Sequence, residues 1–207
     1  MPWEKQFDVE EARERAMATF WAQGYKATSM QDLLDAMGIQ RGSFYGTFGS
    51  KREILLDSLR RYNTDRATAF AELRQGRTAV QAIESLFKRV AAGGGVKTGP
   101  RPRGCFLVSS ASELAPGDAE VAAIVNRAFA DTESFLRSAI EDGKSHGDIP
   151  GEIRAGPVAR ALLGMLLGMQ VLVRSGADHK VLATIAEQAV GLLQVHACKE
   201  SKAKASM

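Results

Sequence analysis

The chain is poor in the residues that would cross-link it, break its helices or arm it for catalysis. Its two cysteines, Cys105 and Cys198, are too few for a disulfide framework. Residues Met1 to Glu14 carry charge and no apolar run, so no secretory leader is expected and the expected compartment is the cytoplasm. Six prolines in 207 residues, with little strand-like alternation, point to an all-α fold. The longest apolar stretch, Val158 to Val173, is interrupted by Arg160 and Gln170 and is short for a bilayer span, so no membrane partner is expected. His146, His179 and His196 are scattered without metal-ligand spacing, and no Glu-x-x-His pattern offers a carboxylate metal site. No Gly-x-Ser-x-Gly elbow presents a nucleophile. Gly95-Val96-Lys97-Thr98 has the wrong order for a phosphate loop, and no strand precedes it. Catalytic residues, a metal and a cofactor are all unexpected.

What the chain does have is one informative stretch, from Thr28 to Lys51. Thr28 and Gln31 stand at capping-box spacing, which starts a helix. Met30, Leu33, Leu34 and Met37 recur at helical spacing, and Gly38 follows where a helix stops in a left-handed conformation. Ile39 is expected to fill the space between this helix and the next. A second helix runs from about Arg41 to Phe48 with Phe44, Tyr45 and Phe48 as its apolar side, and Ser50 with Glu53 caps a third. Two short helices about a glycine-containing turn make helix-turn-helix geometry, whose second helix can enter a DNA major groove. Charge alone does not show this. The net charge is +3, but Met1 to Asp65 holds nine Lys and Arg against ten Asp and Glu. From Lys26 to Arg61 the balance is six basic to four acidic residues, which predicts few phosphate contacts and a modest salt dependence.

The wording of the stretch is more specific than its geometry. Arg41-Gly42-Ser43-Phe44-Tyr45-x-x-Phe48-Gly49-Ser50-Lys51 resembles the recognition-helix signature of the tetracycline-repressor (TetR/AcrR) family of bacterial transcriptional regulators. Phe44, Tyr45, Phe48, Ser50 and Lys51 fall on that signature without a gap, and Thr28 falls on the family's phosphate-contacting threonine. The close likeness covers residues 9 to 57. Where the family often has an imidazole or aromatic pair, this chain has Gly46 and Thr47. The resemblance implies a homodimeric regulator whose partners are a double-stranded DNA operator and a small-molecule effector. Thr28, Tyr45 and Lys51 are then expected on phosphates. Gln40, Arg41, Ser43 and Thr47 are expected nearest the base edges, with Gly42 in the same DNA-facing set. Residues 1–50 would form the helix-turn-helix domain and 51–198 the ligand-binding and dimerisation domain. A helix over 51–74 would join the two, with 199–207 as a disordered tail.

About nine helices are expected in all. Asp8 and Glu11 start the first, Gly24 ends it, and Ala12, Ala16, Met17, Phe20 and Trp21 form its inner side. Beyond the fourth, helices are expected over 78–92, 104–113, 119–142, 154–174 and 178–196. The eighth is apolar around nearly its whole circumference and should be buried on all sides, within a core or between subunits. Gly164 and Gly168 give it a flat face where another helix can come close. Leu182, Ile185, Ala189, Leu192 and Leu193 form the stripe of the ninth. A ligand site among the fifth, seventh and eighth helices would draw on Phe87, Phe106, Phe129, Met165, Leu166 and Met169, with Ser109 as a polar contact.

Cys105 admits two roles. Arg101, Arg103 and a helix start at Gly104 favour its thiolate, as a sensing residue requires, and relatives that sense electrophiles share a Gly-Cys-aliphatic start to this helix. The apolar run Phe106-Leu107-Val108 predicts burial, which disfavours the thiolate and suits a core residue or part of an apolar pocket. A small apolar effector is the preferred reading, because free cysteines are more often core than sensors. A regulator switched by oxidation or alkylation of Cys105 is one alternative. The other is a helical small-molecule-binding protein or enzyme whose helical corner is only structural.

Overall fold

The computed structural model describes residues 7–93 and 104–194. Arg101, Arg103, His196, Cys198, most of the glycine- and proline-rich loop after the fifth helix and the tail 199–207 lie outside the described residues. The described residues form nine α-helices and no strand: α1 (Val9–Gln23), α2 (Met30–Met37), α3 (Arg41–Phe48), α4 (Lys51–Arg74), α5 (Ala79–Ala91), α6 (Phe106–Glu113), α7 (Ala119–His146), α8 (Ala155–Ser175) and α9 (His179–Gly191).

Most helix starts follow side-chain chemistry legible in the sequence. Asp8, Ser50, Asp118 and Asp178 each accept amides of the turn they begin, and Thr78 with Gln81 forms a reciprocal box at α5. The start of α2 departs from expectation. Its cap is Ser29, boxed with Asp32, instead of Thr28 with Gln31. Thr28 is 1% exposed, and its hydroxyl donates to the Gly24 carbonyl at 2.7 Å. Gly38 closes α2 in the left-handed conformation, φ 68°, so the chain can reverse within three residues into α3. Helix α7 continues past Asp142 to His146, and α9 stops at Gly191, short of 196.

Two apolar clusters organise the bundle. The first joins α1–α3 and the start of α4 to Cys105, Phe106, Leu107 and the first turns of α7. The second gathers Leu73, α5, the later turns of α7, α8 and α9. The apolar core therefore does not break at residue 50. Trp21 of α1, Tyr62 of α4 and Phe106 of α6 meet at its centre, with ring centroids 5.1 to 6.4 Å apart.

The eighth helix differs from its sequence pattern. Within one chain only the stripe Ala155, Ala159, Leu162, Leu166, Met169 and Val173 is buried. The opposite side, with Gly164, Gly168 and Val171, is open to solvent, and Val171 is 54% exposed. Val181 and Leu192 of α9 are also exposed, Leu192 against the expectation that it faced inward. At 21 residues, α8 is long and apolar enough by length and composition to cross a membrane, so the span read from Val158 to Val173 was too short. Within the chain 28% of that apolar window is buried, along this stripe.

Gly143 sits inside α7 under a tight contact. A Cβ there would lie 2.7 Å from Ala79 Cβ and 2.8 Å from Ile149 Cδ1. Alanine in a helix is ordinarily favoured over glycine by about 1 kcal/mol. Here we expect Gly143→Ala to destabilise by about 1–3 kcal/mol, the usual range for overpacking. Urea unfolding checks it; equal or greater stability would mean that α5 and the 147–149 turn yield freely.

Candidate nucleic-acid interface and ligand cleft

Helix α3 divides its residues between two tasks. Phe44 and Phe48 point inward and are buried, with ring centroids 5.7 Å apart. Gln40, Arg41, Gly42, Ser43, Tyr45 and Gly46 are exposed on the outward side, and Thr47 is partly buried. Tyr45, expected on the apolar side, is 46% exposed with its ring edge-on to Phe44. Arg41 and Lys26 have no carboxylate partner among the described residues, whereas Arg13, Arg15, Arg52 and Arg61 are paired with acids. Arg41 is thus an exposed, unpaired cation at the start of α3.

Two residues assigned to phosphates sit differently from expectation. The Thr28 hydroxyl is buried and engaged, so the exposed hydroxyl at this helix start belongs to Ser29. Lys51 Nζ donates to the Tyr25 carbonyl at 2.7 Å and lies 4.2 Å from the Tyr25 ring centroid. Partial burial lowers its pKa, and Glu113 and Asp32 act in the opposite sense. Lys51 therefore ties the loop after α1 to the start of α4.

The same loop is held from the far side. Glu113, the last residue of α6, accepts the Tyr25 amide at 3.1 Å and the Lys26 amide at 2.7 Å. The approach is close enough that a Cβ on Gly24 would lie 2.9 Å from a Glu113 oxygen. Arg174 of α8 donates to the carbonyls of Trp21 at 2.6 Å and Ala22 at 3.0 Å, at the end of α1.

The other end of α6 borders a cleft enclosed by α4, α5, α7 and α8. It is a narrow cavity of about 70 Å³, opening into empty space of about 660 Å³ when its mouth is counted. Of the residues assigned to a ligand site, Phe129, Leu166 and Cys105 line this cleft. Phe87, Phe106, Ser109, Met165 and Met169 do not. Phe87, Phe106 and Met169 are consumed by core packing, and the Ser109 hydroxyl donates to the Cys105 carbonyl of its own helix. Cys105 is 5% exposed at the cap position of α6. Burial raises the pKa of the neighbouring Tyr62 phenol well above its usual value, and the Cys105 thiol adds to the effect, so the phenol remains protonated.

The polar part of the lining was missed: Tyr62, Arg66, Arg89, Thr132 and Gln170. A signal for Arg66 existed. It lies in phase with Leu59, Tyr62 and Leu73, the buried stripe of α4, so a cation there must turn inward.

An outward-facing second helix on a helix-turn-helix, joined through α6 to a cleft in a helical bundle, defines a ligand-cleft DNA-binding regulator architecture. Residues 13–57 match the family model for bacterial regulatory proteins, tetR family, and residues 79–189 match the tetracyclin repressor-like C-terminal domain. The chain belongs to the TetR family and is a DNA-binding transcriptional regulator, not an enzyme. It is 31% identical to the uncharacterized HTH-type transcriptional regulator YezE of Bacillus subtilis over 72% of this chain and 76% of that protein. It is 29% identical to the HTH-type transcriptional repressor ComR of Escherichia coli over 88% and 87% of the two. Among solved structures, a cysteine mutant of the TetR family regulator CifR complexed with 26-bp operator DNA superposes with a TM-score of 0.79, at 25% identity over 91% of this chain and 98% of that one.

Nothing lies within 4 Å of a Cβ built on Gly46, so no packing inside the chain requires glycine on this face. We expect Gly46→Ala to stabilise the protein by about 0.5–1 kcal/mol, the helix-propensity gain. If α3 enters a major groove by this face, operator affinity should nonetheless fall, because the added methyl would then crowd the DNA. Unfolding curves and gel shifts on the same variant check both signs; unchanged affinity would remove this face from the interface.

Proposed function

We propose that the protein is a homodimeric repressor that leaves a near-palindromic operator when a small ligand enters the α4–α8 cleft. The observation that carries this reading is the placement of α6. Cys105 and Val108 at its start line the cleft, and Glu113 at its end holds the loop before the DNA-reading helices. Eight residues separate these roles by about 12 Å. The cleft is narrow, so a ligand larger than a few waters must part its walls, and displacement at the start of α6 is carried to Tyr25 and Lys26. Such a ligand releases DNA to the extent that it prefers the parted state. Arg41, Ser43 and Thr47 would read base edges from α3. Tyr45, Ser29 and the free Lys26 would contact phosphates. The repressor named among the relatives, ComR, agrees with the sign of regulation proposed.

The open faces of α8 and α9 supply the dimer contact. Cβ atoms on Gly164 and Gly168 would meet nothing within 4 Å in one chain, leaving room for close approach by the same helix of a second copy. A gel shift against the DNA flanking its own gene tests the whole reading. The wild type should bind as a dimer, whereas Gly168→Trp should sediment as a monomer and lose the shift. A dimeric Gly168→Trp would move the interface elsewhere.

The α6 link makes a separate prediction. Replacing Glu113 with alanine removes a charged acceptor from two amides, an interaction worth about 1.5–3 kcal/mol. Hydrogen exchange at Tyr25 and Lys26 should quicken by about tenfold or more, while amides in α9 remain protected. Unaltered exchange at both would show that α6 does not hold the loop.

A further inference from the structure

The cleft has an unbalanced charge. Arg66 and Arg89 both line it, and among the described residues no carboxylate does. The acids nearest in sequence are already used: Asp65 pairs with Arg61, Glu84 with Lys88 and Asp131 with Arg127. Among the described residues, neither Arg66 nor Arg89 has an acid partner. Arg66 Nη2 donates to the Ala128 carbonyl at 2.7 Å and the Thr132 hydroxyl at 3.0 Å, and its guanidinium lies 5.1 Å from the Phe70 ring centroid. These neutral contacts orient it without neutralising it. Its Nε is shielded from solvent and has no hydrogen-bond partner.

A partly desolvated guanidinium with an unused donor is costly unless an anion completes it. With Nη2 committed to Ala128 and Thr132, Nε and Nη1 are left to give charge-assisted hydrogen bonds to a carboxylate. The remaining walls, Phe70, Leu163, Leu166 and Leu167 among them, are apolar. We propose that the cleft takes an amphipathic carboxylate, with its head on Arg66, Arg89 as a second cation, and its hydrocarbon part between α4 and α8. This replaces the purely apolar effector expected from the sequence. It deepens the ligand-released repressor reading and rests on it for the link from binding to DNA release.

The test uses full-length protein and three head groups on one chain: octanoate, octanol and octylamine, followed by calorimetry. Hexanoate, decanoate and 4-phenylbutyrate extend the carboxylate set. A carboxylate should bind, octanol at least about tenfold more weakly, and octylamine not at all, as the loss of a charge-assisted contact requires. Arg66→Gln should weaken the carboxylate by about tenfold or more while leaving octanol affinity unchanged. Arg66→Lys, which keeps the charge and loses the directed Nε donor, should fall between. The head-group comparison on the wild type stands even if the Arg66 variants fold poorly. Octanol or octylamine binding as well as the carboxylates, or no carboxylate binding at all, overturns the proposal. A carboxylate that binds through Arg66 yet leaves operator affinity untouched upholds the anion site and overturns the release reading instead.

Discussion

The structure depends on one carboxylate that receives two amides. Glu113 ends α6 and takes the N–H groups of Tyr25 and Lys26, at the point where α1 has ended and α2 has yet to begin. Those amides have no helix to satisfy them, and an unpaired amide shielded from water is costly. The charge of Glu113 makes the bonds stronger than neutral ones. Lys51 engages the Tyr25 carbonyl from the other side, so one peptide segment is held by both α4 and α6. Arg174 adds the carbonyls of Trp21 and Ala22, which brings α8 to the same place. The position of the DNA-reading helices is thus set by three helices that also wall the cleft.

Much of this architecture was legible because it rests on local rules. Periodicity placed the nine helices of the described residues, and the inner residues of α1 follow the expected stripe. The two faces of α3 could be read in part: Phe44 and Phe48 were placed inward correctly, whereas Tyr45 turned outward. Capping chemistry located most helix starts but misjudged α2 by one residue. Thr28 and Ser29 are both competent caps, and the choice was made by the Gly24 carbonyl, which the Thr28 hydroxyl satisfies. Ser29 with Asp32 has the same spacing as Thr28 with Gln31, and spacing alone does not rank the two.

The cleft was harder to read for the same reason. Large apolar side chains such as Phe87 and Met169 look equally suited to a core and a pocket, and only three-dimensional packing decides between them. The polar residues carried better signals. Arg66 within the buried stripe of α4, and Gln170 in the apolar run of α8, are locally inconsistent with burial. Such inconsistencies are expected where function overrides packing. Glu113 gave no comparable sign, because a glutamate at a helix end is ordinary and its partners are some 88 residues away in sequence.

If the cleft is the ligand site, its narrowness has an energetic consequence for the cell. A site that must be opened before it is filled shows an apparent affinity reduced by the fraction of time it spends open. If DNA favours the closed arrangement, each operator-bound molecule is a poorer ligand receptor than a free one, by the factor with which ligand weakens DNA binding. Unbound copies would therefore take up ligand first. The concentration at which a promoter responds would then rise with the abundance of the protein, making expression level a means of setting the threshold.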